Sequence, residues 1–286
     1  MGRGRSGVRE IELSAGPIEY EDTGGTGPVL VFLHGLLMDS SLWSATVAGL
    51  SGGHRCVTPT LPLGAHRRPL RPDADVSMPA LAGLVAEFLE RLDLHDVVLV
   101  GADTGGALVQ LLMIGAAPRV RRVVLASCDA FDNFPPGLTG RTLFLTGRLP
   151  PALFGVFMQQ MRLKAVRRLP LAFGRLTRRG DASVSRWLRP ILTQPAIRRD
   201  TVRVLRAASA DRHVLVEAAT HFPAFDRPVL VVWASEDRVM PPDHGRRLAE
   251  VLPKAQLSEV DDSDTLIPLD QPEELARLIA DFVRTT

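Results

Sequence analysis

Residues 97–114 constrain this chain more than any others. An apolar run at 97–100 (VVLV) enters Gly101-Ala-Asp-Thr-Gly105 and continues into a helix-compatible stretch at 107–114. A buried strand that turns this sharply into a helix has the form of a nucleophile elbow. The backbone of such a turn is strained, so its flanks need small residues, and Gly101 and Gly105 supply them. The turn then projects its tip residue, Asp103, into a pocket. A carboxylate in that place can attack carbon or move a proton, and it does not form the acyl-enzyme of a serine.

The rest of the chain supplies a setting for this turn. Apolar or alternating runs at 8–13, 18–20, 29–33, 55–58, 96–100, 120–125, 228–233 and 256–260 read as strands, and 78–92 and 273–283 read as amphipathic helices. Strands alternating with helices predict an α/β fold with a mostly parallel sheet and right-handed crossovers. Residues 130–223 break the rhythm: they are helical in pattern, arginine-rich, punctuated by prolines and free of strand signals. They read as a helical cap inserted over the C-terminal edge of the sheet. The expected division is therefore a core of 1–129 with 224–286, and a cap of 130–223.

At 286 residues the chain can bury a full core without staples. Its net charge of +2 gives no reason to expect nucleic acid, and no uncharged run reaches transmembrane length. Residues 1–7 lack the apolar segment of a secretory leader. Cys56 and Cys128 form no disulfide framework and suit a reducing compartment. Lys164 and Lys254 are the only lysines, a bias that reads as the composition of a GC-rich bacterial genome. The expectation is a cytoplasmic protein with a small-molecule substrate, and no nucleic-acid or membrane partner. Neither a P-loop nor a metal-ligand cluster is present in the sequence, so no cofactor and no metal are expected.

Through the elbow, His34-Gly35, Trp233-Ala-Ser-Glu-Asp237 and Leu269-Asp-Gln-Pro-Glu-Glu274, the chain resembles α/β-hydrolase-fold proteins with a cap, over nearly its full length. An aspartate at the elbow resembles the haloalkane dehalogenases and soluble epoxide hydrolases. The resemblance implies that Asp103 attacks carbon and that a histidine-activated water hydrolyses the alkyl-enzyme ester. It also implies that Asp237 is the triad acid, with Asp129 a second candidate, and that the backbone N–H groups of Leu36 and Thr104 form the oxyanion hole. His34 would support the loop that carries Leu36. Read without the resemblance, Asp237 could cap the helix beginning near Asp243, and Asp129 could be an ordinary turn residue.

The chain departs from that pattern at several points. The catalytic histidine is expected at Thr265, and no histidine follows His244. Threonine is no base at neutral pH, and loss of a triad base costs orders of magnitude in rate. Thr104 stands where dehalogenases carry a halide-binding tryptophan, and the only tyrosine, Tyr20, lies outside the cap in which epoxide hydrolases carry theirs. The His-Gly-x-Pro turn of those families is not kept; this chain has His34-Gly-Leu-Leu37.

His66, in a loop expected to border the pocket, and Asp264, beside Thr265, are possible surrogate bases; otherwise they are a surface histidine and a solvated acidic turn. Arg67, Arg68, Arg71, Arg162, Arg167 and Arg168 could bind an anionic group or simply be solvated. Phe154, Phe157, Met158, Met161, Leu163 and Phe173 could line a pocket or form the cap's own core. The expected function is an enzyme acting on a small, largely apolar organic substrate, with Asp103 as nucleophile or general base. Two alternatives stand beside it. One is a non-hydrolytic enzyme of the same fold (cyclisation, elimination or isomerisation) with Asp103 as proton shuttle. The other is an inactive ligand-binding protein, the triad histidine being replaced by Thr265.

Overall fold

A computed structural model describes residues 7–115 and 117–286; the stretch read as lacking a leader lies almost wholly outside them. The chain opens with β1 (Arg9–Leu13) and β2 (Gly16–Asp22), then runs through β3 (Val29–Leu33), α1 (Ser44–Leu50), β4 (Arg55–Pro59), α2 (Met78–Arg91), β5 (Val97–Asp103), α3 (Thr104–Ile114) and β6 (Val120–Cys128). Seven helices follow without a strand: α4 (Gly137–Thr146), α5 (Pro151–Met158), α6 (Lys164–Arg167), α7 (Asp181–Trp187), α8 (Arg189–Thr193), α9 (Pro195–Ala210) and α10 (Val214–Ala219). The sheet resumes with β7 (Val229–Ala234), followed by α11 (Pro242–Val251), β8 (Ala255–Val260), α12 (Ile267–Asp270) and α13 (Pro272–Thr285).

The eight strands form one sheet in the order β1-β2-β4-β3-β5-β6-β7-β8. β1 pairs antiparallel with β2, and β2 with β4; every other pairing is parallel. The hydropathy patterns account for the split. β2 alternates buried and half-buried positions, as a strand with one covered face does, whereas β5 and β7 are buried at every residue because helices cover both faces. This is the α/β-hydrolase fold. The strand order reverses about β3, β4 and β5, and the C-terminal ends of β3, β5, β6 and β7 converge there. Ligands of open parallel sheets bind at such switch points. The inserted helices α4–α10 enter the chain from the end of β6 and return it at β7, so they arise at this same edge.

Candidate active site

The elbow forms as its residue types require. β5 ends on Asp103 and α3 begins at Thr104, with no residue between. Asp103 has φ 53° and ψ −133°, a conformation that costs a non-glycine residue about 1–3 kcal/mol and that the surrounding packing must impose. Part of that packing is the close seating of α3 on β3. A Cβ on Gly105 would overlap the backbone carbonyl of Leu33, so only glycine lets the helix start here.

The carboxyl of Asp103 is held on one side only. Oδ1 accepts the backbone N–H of Thr104 at 2.7 Å and that of Leu36 at 3.3 Å. These are the two groups expected as an oxyanion hole, and both are directed at the aspartate's own oxygen. Oδ2 has no hydrogen-bond partner among the described residues, and Asp103 lines a cavity. Gly35 is the reason Asp103 fits, since a Cβ there would overlap its carboxyl. Gly35→Ala is therefore expected to displace Asp103 and to lower unfolding free energy by about 1–3 kcal/mol, the usual cost of overpacking, read by urea denaturation.

Behind Asp103 lies a second carboxyl. The Thr104 hydroxyl is 3.1 Å from Asp103 Oδ1 and 2.9 Å from Asp129 Oδ2. One hydroxyl carries one hydrogen, so it donates to one of the two carboxyls at a time. Burial pushes the Asp129 carboxyl well above the usual carboxylate range, and the nearby Asp103 adds to this. Asp103 is also raised, by burial, against the lowering effect of its three hydrogen bonds. Neither has a cation partner among the described residues. Two such neighbours titrate as a coupled pair, and Asp129, which has no exposed surface, is the more strongly raised of the two. Asp129 is thus more than a turn residue.

Asp237 lies in the loop after β7. Its Oδ1 accepts the N–H of Val239 at 2.9 Å, the N–H of Met240 at 2.8 Å and the hydroxyl of Thr265 at 2.8 Å. It does not cap α11, whose first turn follows Pro241. Thr265 therefore donates to the acid from the place where the resemblance puts a histidine, and the contact ends there. With no cation beside it, and with Oδ2 buried and unpartnered, burial pushes Asp237 up to about 6. Asp103, Asp129 and Asp237 all act on the buried Cys128 thiol, which burial and these carboxylates push well up.

No histidine takes over. His66 is buried rather than at the surface, and it does not line the cavity: its Nδ1 accepts from the N–H of Gly64 and its Nε2 faces Asp200 of α9 at 3.5 Å. Burial holds His34 neutral, down at about 4, and both its ring nitrogens are used. Nδ1 donates to the Gly35 carbonyl and Nε2 accepts from the N–H of Leu61, so His34 clamps the loop carrying Leu36. Asp264 is raised chiefly by burial, with Asp270 rather than Asp262 as the acidic contributor; it faces Arg178 at 3.6 Å and lies outside the cavity lining. The two surrogate bases expected from sequence thus have other partners.

The cavity itself is apolar. Of the residues that could line a pocket or form the cap's own core, Phe157, Met158, Met161 and Phe173 line it, together with Leu36, Leu37, Met38, Leu143, Phe144, Leu171 and Leu176. Phe154 is instead core of the inserted helices, and Leu163 is exposed. Asp103 is the single titratable residue in the lining. Three further threonines reach it, but the hydroxyls of Thr139, Thr142 and Thr146 donate to backbone carbonyls. None of the six arginines weighed as anion binders or solvated residues lines the cavity: Arg67, Arg68 and Arg71 pair with carboxylates of β1, β2 and Asp39, and Arg167 with Asp181. Among the described residues the lining therefore offers a leaving anion no cation and no uncommitted side-chain donor, the Thr104 hydroxyl being engaged with the two carboxyls. Sequence reasoning missed the Asp103–Thr104–Asp129 contact, whose only signal was a second aspartate following the next strand.

Comparison with known proteins agrees with this architecture. The chain is 26% identical over 275 residues to haloalkane dehalogenase 2 of Mycobacterium tuberculosis, covering 95% of this chain and 93% of that one. A haloalkane dehalogenase of Mesorhizobium japonicum is 32% identical over 148 residues, 49% of this chain and 46% of that one. Among solved structures, an esterase from Thermogutta terrifontis superposes with a TM-score of 0.72 at 23% identity, covering 98% of this chain and 99% of that one. An ancestral haloalkane dehalogenase superposes at 0.77 with 22% identity, covering 97% and 98%. The profile of the α/β-hydrolase family matches residues 30–278. With the sheet order, the elbow at Asp103 and this match together, the chain belongs to the α/β-hydrolase family and is a hydrolase-superfamily enzyme similar to the haloalkane dehalogenases.

Proposed function

We propose that this enzyme acts on a small, largely apolar organic molecule and that Asp103 is its reacting group, giving and taking a proton through Oδ2. The observation that carries this reading is the charge balance of the site. Asp103, backed through the Thr104 hydroxyl by the buried carboxyl of Asp129, faces an apolar cavity whose described lining carries no cation and no free side-chain donor. Such a site favours transition states that develop positive charge and disfavours those that expel an anion. Halide departure, epoxide opening and tetrahedral oxyanions all belong to the second kind. Proton transfer also needs no base at position 265. The inserted helices act in this reading as the cap that excludes water.

A second reading has its own support. With Oδ1 held by two N–H groups and Oδ2 free, Asp103 is also placed for nucleophilic attack, and its ester carbonyl would keep both hydrogen bonds. What lacks support is the hydrolytic half, because Thr265 donates to Asp237 and activates no water.

The test is to incubate the protein in D2O with a panel of small alkenes, enol ethers, ketones, alkyl halides and epoxides, and to follow deuterium in the recovered compounds by mass spectrometry. The proposal predicts deuterium incorporation or isomerised product from the unsaturated compounds, and none from the halides. Halide release with multiple turnovers would favour the nucleophilic reading and overturn this one.

A further inference from the structure

The inserted helices carry a feature that chemistry at Asp103 does not use. Eight of the twelve exposed large apolar side chains among the described residues fall between Leu138 and Leu171. In α4, Leu138 and Leu145 are seven residues apart and share a face. In α5, Leu153, Val156 and Phe157 form one stripe. Val156 is 72% exposed and Leu163 62%, values that a soluble surface rarely clusters. This apolar surface reaches the cavity. The hydroxyl of Thr139 donates to the carbonyl of Pro170 at 3.0 Å, which brings the start of α4 against the 169–171 turn, and Phe157 and Leu171 are at once exposed and part of the cavity lining.

The charge of this region is as uneven as its hydropathy. Residues 137–175 contain seven basic residues and no acidic one, while the rest of the chain sums to −5 against +2 for the whole. Arg141, Arg148, Arg162, Lys164 and Arg168 are exposed and have no ion-pair partner among the described residues. Apolar side chains interleaved with unpaired basic ones are what an anionic lipid surface binds. A second copy of the chain is disfavoured as the occupant, because two such faces carry like charge.

We propose that the 137–175 face docks on anionic lipid bilayers, setting the cavity mouth against the membrane so that apolar molecules enter from the lipid. No helix among the described residues is long and apolar enough to cross a membrane, so this is surface association. It departs from the expectation of no membrane partner, which rested on whole-chain properties. It stands independently of the reaction at Asp103.

The test is co-sedimentation of the full chain with phosphatidylcholine vesicles containing about one third phosphatidylglycerol, and with phosphatidylcholine alone. Binding at low salt is expected to be at least about tenfold tighter to the anionic vesicles and to weaken with added salt, because counterion screening acts on exposed charge. Val156→Asp with Leu163→Asp, both at exposed positions, is expected to cut binding at least about tenfold with unchanged circular dichroism, as is Arg148→Glu with Lys164→Glu. Absence of vesicle binding, equal binding to both vesicle types, or binding untouched by either pair would overturn the proposal. So would a concentration-dependent dimer in sedimentation velocity that the apolar pair abolishes, which would make a second copy the occupant.

Discussion

Asp103→Asn is expected to lower the rate of proton transfer to any substrate found by about 10²–10⁴-fold, the range over which a positioned acid–base group contributes. The amide preserves size, and its oxygen can still accept from the N–H groups of Leu36 and Thr104. The loss would therefore be one of chemistry and not of fold. Thermal unfolding should confirm this: replacing an acidic group that is buried and lacks a cation is expected to leave the melting temperature unchanged or higher. Thr104→Val is a milder change. It keeps the backbone N–H and removes the hydroxyl between the two carboxyls, so it should alter the pH profile of the reaction more than its maximal rate. A variant Asp103→Asn with full activity would remove Asp103 from the mechanism.

The second large effect is on stability against pH. Burial pushes the thiols of Cys56 and Cys128 up, so they stay protonated in the folded chain at pH 8, and an unfolded thiol, with its ordinary value of about 8.5, is still mostly protonated there. Burial depresses His34 to about 4 and also lowers His244, so both add stability as pH rises until the unfolded imidazoles have lost their protons, by about pH 7.5. The buried carboxyls act in the opposite direction. Their folded-state values are raised, so the stability they contribute is complete below the ordinary carboxylate value and is lost as pH rises towards the folded one. Asp237, at about 6, has lost most of its share before pH 7. Burial shifts Asp129 and Asp103 in the same direction. A folded state that keeps one proton more than the unfolded chain loses about 1.4 kcal/mol of stability per pH unit. Urea unfolding at intervals from pH 5 to 8 should show the wild type losing stability relative to Asp129→Asn as pH rises, by up to about that slope, since the histidines are common to both. Asp237→Asn should act chiefly below pH 7. A constant difference between wild type and Asp129→Asn would mean that Asp129 ionises like an ordinary carboxyl.

How far the sequence reached depended on the kind of signal each feature leaves. The elbow was legible because its physical requirements fall on neighbouring residues: an apolar strand, glycines where α3 seats on β3, and a helix starting at once. The same holds for the continuous apolar runs of β3, β5 and β7, which only a doubly covered sheet requires. Features that depend on distance in space were not legible. His66 is close to the elbow in loop order, yet its ring is turned to Asp200 of α9, a residue more than a hundred positions away. Thr104 was read as a missing tryptophan, whereas the structure gives its hydroxyl a contact of its own with Asp129. The absence at position 265 was legible, but the reach of Thr265 to Asp237 was not. The whole-chain charge of +2 averaged a basic, apolar face with an acidic remainder and so concealed both.

The central claim is that Asp103 moves a proton through Oδ2 and does not turn over as an ester. The most direct test is intact-protein and peptide mass spectrometry after multiple turnovers in H2¹⁸O with the compound panel. Proton transfer predicts altered substrate with no mass gain on the protein and no ¹⁸O in the Asp103 carboxyl. An adduct on Asp103, or ¹⁸O accumulating in that carboxyl as product forms, would contradict it and make Asp103 a nucleophile.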